Sequence, residues 1–286
     1  EMLRSLVGSE MCIRDRVISA VFIGCTPILS IDASTQSVYH FSDTDKNISL
    51  LDISETFGTY DGSFVLYDNN LDSWKIYDLE EATKRIPPES TYKIYDALLG
   101  LESGIITPEH SSMTWNGDAF PFPSWEADQD LNSAMQNSVN WYFQAIDSQL
   151  GINRVQEFLN KIEYGNQTTS SNLDLYWSDF SLKISPLEQV TLLKKFNTNE
   201  FHLNSQNVFS VKNAIKIAST PNGNFYGKTG TGRVNGQDIN GWFIGYVETS
   251  DNSYYFATNI QSDSNATGKK AFEITSDILK KLHIWN

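Results

Sequence analysis

Three short motifs follow one another along the chain: Ser90-Thr91-Tyr92-Lys93, Ser138-Val139-Asn140 and Lys228-Thr229-Gly230. Between them they supply a serine nucleophile, a lysine base, a second hydroxyl that can relay protons, and a cation beside a glycine. The chemistry such a set performs is acyl transfer through a serine ester, on a substrate that carries a negative charge.

Each motif has a plainer reading when taken singly. A Ser-x-x-Lys spacing arises by chance about once or twice in a chain of this size. Ser90, however, follows Pro87-Pro88-Glu89 and opens an apolar helical pattern with Tyr92, Ile94, Ala97, Leu98 and Leu101. At a helix N-terminus the dipole favours an oxyanion. Three residues on, Lys93 falls on the same face, where burial would lower its pKa and let it deprotonate the hydroxyl. A serine N-cap beside a solvated lysine is the alternative. Ser138-Val139-Asn140 lies inside a run that reads as helical, where an ordinary polar face would look the same. Lys228-Thr229-Gly230-Thr231-Gly232 reads as a strand with Lys228 and Gly230 on one face and Thr229 and Thr231 on the other. Glycine there lets a substrate approach the backbone, although a Gly-rich hairpin edge has the same composition. The three motifs in this order, with Tyr164-Gly165-Asn166 between the second and third, favour function over coincidence.

The elements that must position these residues follow from pattern. Gly62–Asp68 and Trp74–Tyr77 are β-rich runs around Asn69-Asn70 and predict a hairpin. Helical character is expected from Ser90, over 131–150, over 155–162, over 186–196 and over 211–217. Residues 107–129, rich in Pro, Trp and Gly, read as an extended loop. Strands are expected at 227–232, 241–247 and 254–260, and a last amphipathic helix over 271–282. Strands, a helical insert, strands and a helix imply an α/β (α+β) domain: a central antiparallel sheet flanked by helices, with a helical subdomain.

Composition bounds the partners. The chain has 286 residues, 21 Lys and Arg against 35 Asp and Glu, and a net charge of −14. Nucleic acid is not an expected partner, because phosphate binding needs clustered cations. An anionic substrate must instead find a local cationic spot. Cys12 and Cys25 both precede the globular pattern, and His40, His110, His202 and His283 show no ligand spacing, so no metal site is expected. Residues 1–16 contain Glu10-Met11-Cys12-Ile13-Arg14-Asp15-Arg16, which resembles translated sequencing-adapter read-through and is set aside as non-native. Residues 17–31, VISAVFIGCTPILSI, form an uncharged apolar run: a transmembrane or signal segment, with Phe22-Ile23-Gly24-Cys25 resembling a lipobox. A buried core helix is the alternative. Residues 32–47 read as a linker and 48–286 as the folded domain.

Beyond the three motifs, Pro88-Glu89-Ser90-Thr91-Tyr92-Lys93-Ile94-Tyr95, Ser103–Pro108, Met113-Thr114-Trp115, Asp128–Leu131, Trp141-Tyr142-Phe143-Gln144, Ile184–Val190 and Gly241–Glu248 carry a resemblance to the penicilloyl-serine transferases. Within that superfamily the chain resembles class D (OXA-type) β-lactamases, and more closely the penicillin-sensing domain of BlaR/MecR-type receptors. The resemblance covers about Ser63 to Leu282. It implies that Ser90 is acylated by a β-lactam antibiotic and that Lys93 is the base, in this group often N-carboxylated by CO2, with no other cofactor. It implies that Ser138 relays a proton to the leaving nitrogen. Backbone N–H groups of Ser90 and Thr231 would form the oxyanion hole. Lys228, Thr229, Gly230 and Thr231 would face the drug carboxylate, with Lys269 or Lys270 as a second cation, and Trp177 would steady the modified lysine.

One residue departs from the hydrolase pattern. Class D hydrolases usually carry Val or Ile at the position of Asn140, in an apolar pocket that preserves the carbamate. An amide there can bond the lysine amine and favour loss of the carbamate, as in the receptors, so that the acyl-enzyme persists. The leading expectation is therefore the extracellular sensor of a membrane-anchored signal transducer that induces resistance. Its own transmembrane and protease portion would be a partner upstream. The alternative is a secreted or lipid-anchored class D β-lactamase; a peptidoglycan transpeptidase or carboxypeptidase and a non-enzymatic binding module rank below it.

Overall fold

The computed structural model describes residues 47–174 and 176–286. The stretch read as non-native, the apolar run and all but the last residue of the expected linker lie outside the described residues.

Seven strands form one sheet in the order β1-β3-β2-β7-β6-β5-β4. They are β1 (Ile48–Leu50), β2 (Asp61–Asp68), β3 (Ser73–Tyr77), β4 (Lys216–Thr220), β5 (Gly223–Val234), β6 (Gln237–Glu248) and β7 (Ser253–Gln261). Every pairing is antiparallel except β1 with β3. Nine α-helices accompany them among the described residues: α1 (Ser54–Phe57), α2 (Leu79–Thr83), α3 (Lys93–Glu102), α4 (Leu131–Gln136), α5 (Asn140–Leu150), α6 (Ile152–Ile162), α7 (Pro186–Asn197), α8 (Ser205–Ala214) and α9 (Gly268–Lys281). None of these helices is long and apolar enough to cross a membrane.

The period-two alternation of the central strands feeds two cores, one on each face. Phe64, Leu66, Phe243, Val247, Phe256 and Ile260 turn to one side, where Ile274, Ile278 and Leu279 of α9 cover them. Val65, Tyr67, Trp242, Ile244, Tyr246, Tyr255 and Ala257 turn to the other, where the helices other than α1 and α9 pack. A sheet buried on both faces reads as continuous apolar sequence, as β2 does. At the centre of the helical side lies α3, buried from Lys93 to Leu101.

The expected hairpin, the long loop and the last helix are present; only a short 3-10 turn (Pro123–Trp125) and a bridge between Met113 and Gln129 punctuate the loop. Three expectations are corrected. The helix expected from Ser90 begins as a 3-10 turn over Glu89–Tyr92, and α3 proper starts at Lys93. The single helical run 131–150 is two helices, because Ser138 adopts φ 55° between them. The helix expected over 211–217 instead spans Ser205–Ala214, set by Asn204 accepting N–H bonds from Gln206 and Asn207. Lys216 and Ile217 belong to edge strand β4, where Ile217 is exposed and so added an apolar residue to a helical pattern it does not share.

Candidate active site

The nucleophile sits on a turn clamped from several sides. Pro87 O accepts hydrogen bonds from Trp242 Nε1 (2.8 Å) and Asn240 Nδ2 (3.1 Å), both on β6. Glu89, at φ 52°, donates its N–H to Trp177 O at 3.1 Å. Thr91 Oγ1 donates to Pro88 O at 2.6 Å and accepts from Gln189 Nε2 of α7 at 2.9 Å. A non-glycine residue at positive φ is uncommon and persists where its surroundings over-determine it. Here they hold Ser90 at the mouth of α3, against β5.

Lys93 is completely buried, and its Nζ lies 2.7 Å from both Ser90 Oγ and Asn140 Oδ1. Burial, and then the charge of Lys228, push its pKa well below the usual lysine value, with Asp96 and Glu89 opposing. A lysine so placed can be a neutral amine within reach of the serine proton, which is what a general base requires. The rings of Phe143 and Trp177 wall the amine, each centroid 5.7 Å from Nζ. Trp177 is itself buried and stacks on Tyr92.

Ser138 occupies the break between α4 and α5, and the left-handed turn throws its side chain toward β5. Lys228 Nζ donates to Ser138 Oγ and to Thr229 O, each at 3.0 Å. Burial alone lowers the Lys228 pKa to about 7. The reading of Ser138 on a continuous helix is thus replaced by a more informative one. A serine on an exposed turn of α5 would not face both the nucleophile and the cation.

The third motif behaves as alternation predicts. A Cβ on Gly230 would lie 3.3 Å from Ser90 N and 3.1 Å from Pro88 O, so this face of β5 lies against the nucleophile turn. Thr231, on the other face, has its hydroxyl oxygen fixed by the Gly268 N–H at 2.9 Å, leaving its own O–H free to donate. Gly227 N–H donates to Ile215 O on the β4 side. Strand alternation then points the N–H groups of Thr229 and Thr231 to that same edge, beyond the end of β4, where a substrate carbonyl can reach them.

These groups share a cavity of about 340 Å³ lined by Ser90, Ser138, Asn140, Thr229, Gly230 and Thr231, with Phe122 and Trp125 on its rim. The eight residues expected around Ser90 are therefore all brought together about it, by hydrogen bonds or cavity walls. Trp177 stands behind the lysine, and it lines an adjoining space with Ser90 and Asn140. Lys269 and Lys270 line neither space, and Lys270 pairs instead with Glu273 at 3.2 Å. The further cation at the cavity is Arg233, two residues past Thr231 and paired to Asp238 at 2.7 Å. Its position in the KTGTGR run was the available signal. Glu89 is a further buried group on the nucleophile turn, outside the three motifs. Its Oε1 accepts from Asn240 Nδ2 at 3.2 Å, and burial raises its pKa to about 8.

Because the Gly230 face is already in contact with the nucleophile turn, Gly230→Ala is expected to displace Ser90. A misplacement of this kind slows acyl transfer by roughly tenfold or more. Stopped-time mass spectrometry checks this, and an unchanged rate would show that the turn can retreat without losing register.

A serine on a tight turn, a buried lysine amine beside it, a second serine held by a lysine and a glycine-rich strand edge form an arrangement suited to acyl transfer through a serine ester. The model of the penicillin-binding protein transpeptidase domain matches residues 58–280. The regulatory protein BlaR1 of Bacillus licheniformis is 45% identical over 271 residues, which is 94% of this chain and 44% of that protein. The solved C-terminal domain of the Bacillus licheniformis BlaR penicillin-receptor is 46% identical with a TM-score of 0.82, over 84% of this chain and 98% of that one. A class D β-lactamase structure from Bacillus subtilis is 36% identical with a TM-score of 0.78, over 82% and 97% of the two chains. The chain belongs to the penicillin-binding transpeptidase-domain family, and within it to the BlaR/MecR-type penicillin-sensing domains, with class D β-lactamases as relatives. It spans less than half the length of the BlaR1 and mecR1 proteins it matches.

Proposed function

We propose that this domain binds β-lactam antibiotics covalently and retains them, as the extracellular sensor of a membrane-anchored receptor whose remaining portion carries the signal inward. The observation that supports this best is the position of the Lys93 amine, bonded on one side to Ser90 and on the other to Asn140.

In the acylation step the Lys93 amine takes the Ser90 proton and Oγ bonds to the lactam carbonyl carbon. The oxyanion forms against the N–H groups of Ser90 and Thr231. The C–N bond then breaks, and Ser138 passes a proton to the departing nitrogen, replenished from Lys93. Lys228 donates to Ser138 and, with Thr231 and Arg233, draws the drug carboxylate into a site set in a strongly acidic protein.

Deacylation needs a base for water. A carboxylated Lys93 would serve, but the surroundings do not suit one. Asn140 Oδ1 accepts from the free amine, so carboxylation would break that bond and require the amide to turn. Lys93 accordingly works as a free amine, and the ester outlasts the drug. Such a lifetime suits a signal and defeats turnover.

The test is intact-mass spectrometry of the full chain after a brief pulse of benzylpenicillin, with Ser90→Ala as control. The sensor reading expects an adduct of one drug mass that persists for hours and is absent from the variant. Loss of the adduct within minutes, with penicilloic acid accumulating, would establish the hydrolase. No adduct at all would exclude both.

A further inference from the structure

Beneath the nucleophile turn the sheet departs from the apolar pattern of its central strands. Asn240 on β6 and Asn259 on β7 are both buried, and Asn259 sits directly across from Trp242. Alternation puts all three on the helical side of the sheet. A buried amide in a central strand is costly unless its hydrogen bonds are made. Those of Asn240 are made, and two of them go to the turn that carries Ser90. Its Nδ2 donates to Pro87 O at 3.1 Å and to Glu89 Oε1 at 3.2 Å. Its Oδ1 accepts from Asn259 Nδ2 at 2.8 Å. Asn259 Nδ2 also donates to Gly241 O at 3.1 Å, and Asn259 Oδ1 accepts from Gln261 Nε2 at 3.2 Å. The Asn240 amide therefore has one orientation. Turned over, its oxygen would face the Pro87 carbonyl and its Nδ2 the Asn259 donor.

The Glu89 side chain reaches Asn240 across β5 at Gly232, the residue paired with Asn240. A Cβ on Gly232 would overlap Glu89 Oε1 and lie 2.8 Å from Glu89 Cδ, so the glycine leaves the space that the carboxyl fills. Glu89 precedes Ser90 and sits at φ 52°, a state that a non-glycine residue keeps where its surroundings hold it. Its N–H is tied to Trp177 O and its carboxyl to β6. Burial raises that carboxyl to about 8, so near neutrality it is an uncharged acid, which an amide of the same shape can replace.

We propose that Asn240 is a positioning residue for the nucleophile: held in one orientation by Asn259, its amide pins Pro87 O and the Glu89 side chain, and so sets Ser90 Oγ against the Lys93 amine. Asn240 lines neither space around Ser90, so it acts through the turn and not on the drug. The inference rests on the covalent-acylation reading above, because acylation is the step whose geometry it sets.

The experiment follows acylation of the full chain over a series of benzylpenicillin concentrations. It separates the rate constant at saturation from the concentration at half-saturation. Asn240→Leu keeps the volume of the amide and removes its bonds. It is expected to lower the saturating rate roughly thirtyfold, while half-saturation moves by less than about twofold, because no group that meets the drug is altered. Alanine is no easier than glutamate at φ 52°, so Glu89→Ala isolates the side chain. That variant is expected to lose roughly tenfold in the parent and less than about twofold on top of Asn240→Leu. Glu89→Gln still offers Asn240 an acceptor and is expected to keep a rate within about twofold of the parent. The final adduct per chain counts folded protein, so a variant that is only less stable loses amplitude and keeps its rate. An unchanged saturating rate in Asn240→Leu, a loss confined to half-saturation, or Glu89→Gln as slow as Glu89→Ala overturns the inference. If Asn240→Leu does not fold, Asn259→Ala frees the Asn240 amide to turn, with an expected loss of roughly fivefold, and an unchanged rate there overturns it equally. Hydrogen exchange without drug reads the turn directly. The Glu89 and Thr91 amides, bonded to Trp177 O and Pro88 O, are expected to exchange at least about tenfold faster in Asn240→Leu, with α5 unchanged. Should the parent chain fail to acylate, the functional reading falls, while unchanged exchange of these two amides would still overturn this one and faster exchange would support it.

Discussion

Lys93→Met is expected to lower the acylation rate by roughly three orders of magnitude, within the range that a positioned general base supplies. Methionine matches the length of the lysine stem, and its apolar end suits a pocket walled by Phe143 and Trp177. The domain should therefore remain folded, with a melting temperature close to the parent's, because the desolvation cost of the amine and its two hydrogen bonds are lost together. Loss of rate with stability retained separates a chemical role from a packing role. The same base predicts a pH dependence for the parent. Burial lowers the lysine pKa, so acylation is expected to rise with pH as the neutral amine forms. Rapid-quench mass spectrometry measures the rates, and acylation of Lys93→Met within tenfold of the parent would remove Lys93 as the base.

Asn140→Val is expected to speed deacylation by about a hundredfold while leaving acylation nearly unchanged. In the parent the amide oxygen is 2.7 Å from Nζ and holds the amine in place. Valine has a similar volume and no acceptor. The amine is then released to meet water at the acyl carbonyl or to take up CO2 in an apolar pocket. Asn140 opens α5 without capping it through its side chain, so its removal costs the helix little. A pulse-chase of the adduct mass, repeated with added bicarbonate, distinguishes the two routes. An adduct that decays at the parental rate under both conditions would leave Asn140 with no part in retention.

Much of this protein was readable before any coordinate. The hairpin Asp61–Tyr77, the strands around Lys228, Trp242 and Tyr255 and the closing helix all carry periodicities that burial on two faces enforces. The nucleophile and base were legible because a helical turn fixes their separation. Other features were not. The break at Ser138 depends on one residue at φ 55°, and its neighbours are ordinary helix formers, so local pattern runs straight through it. The start of α8 is set by a single Asn204 cap outside the apolar pattern. Arg233 reaches the cavity past an irregularity in the β5–β6 register between Gly232 and Arg233, which strict alternation does not anticipate.

The sequence by itself determined the kinds of group available: which serine, which lysine, which hydroxyl and which cation, and that an amide replaces an aliphatic residue beside the base. Those are properties of residue type and of spacing within one element, where backbone geometry is fixed over a few residues. The tertiary structure alone decided their electrical state. Lys93 and Lys228 are held low, and Glu89 and Asp96 high, because distant segments remove water from around them. Desolvation sums over everything packed against a group, so no short stretch of sequence carries it, and it is this that fits an ordinary lysine to the proposed role of base.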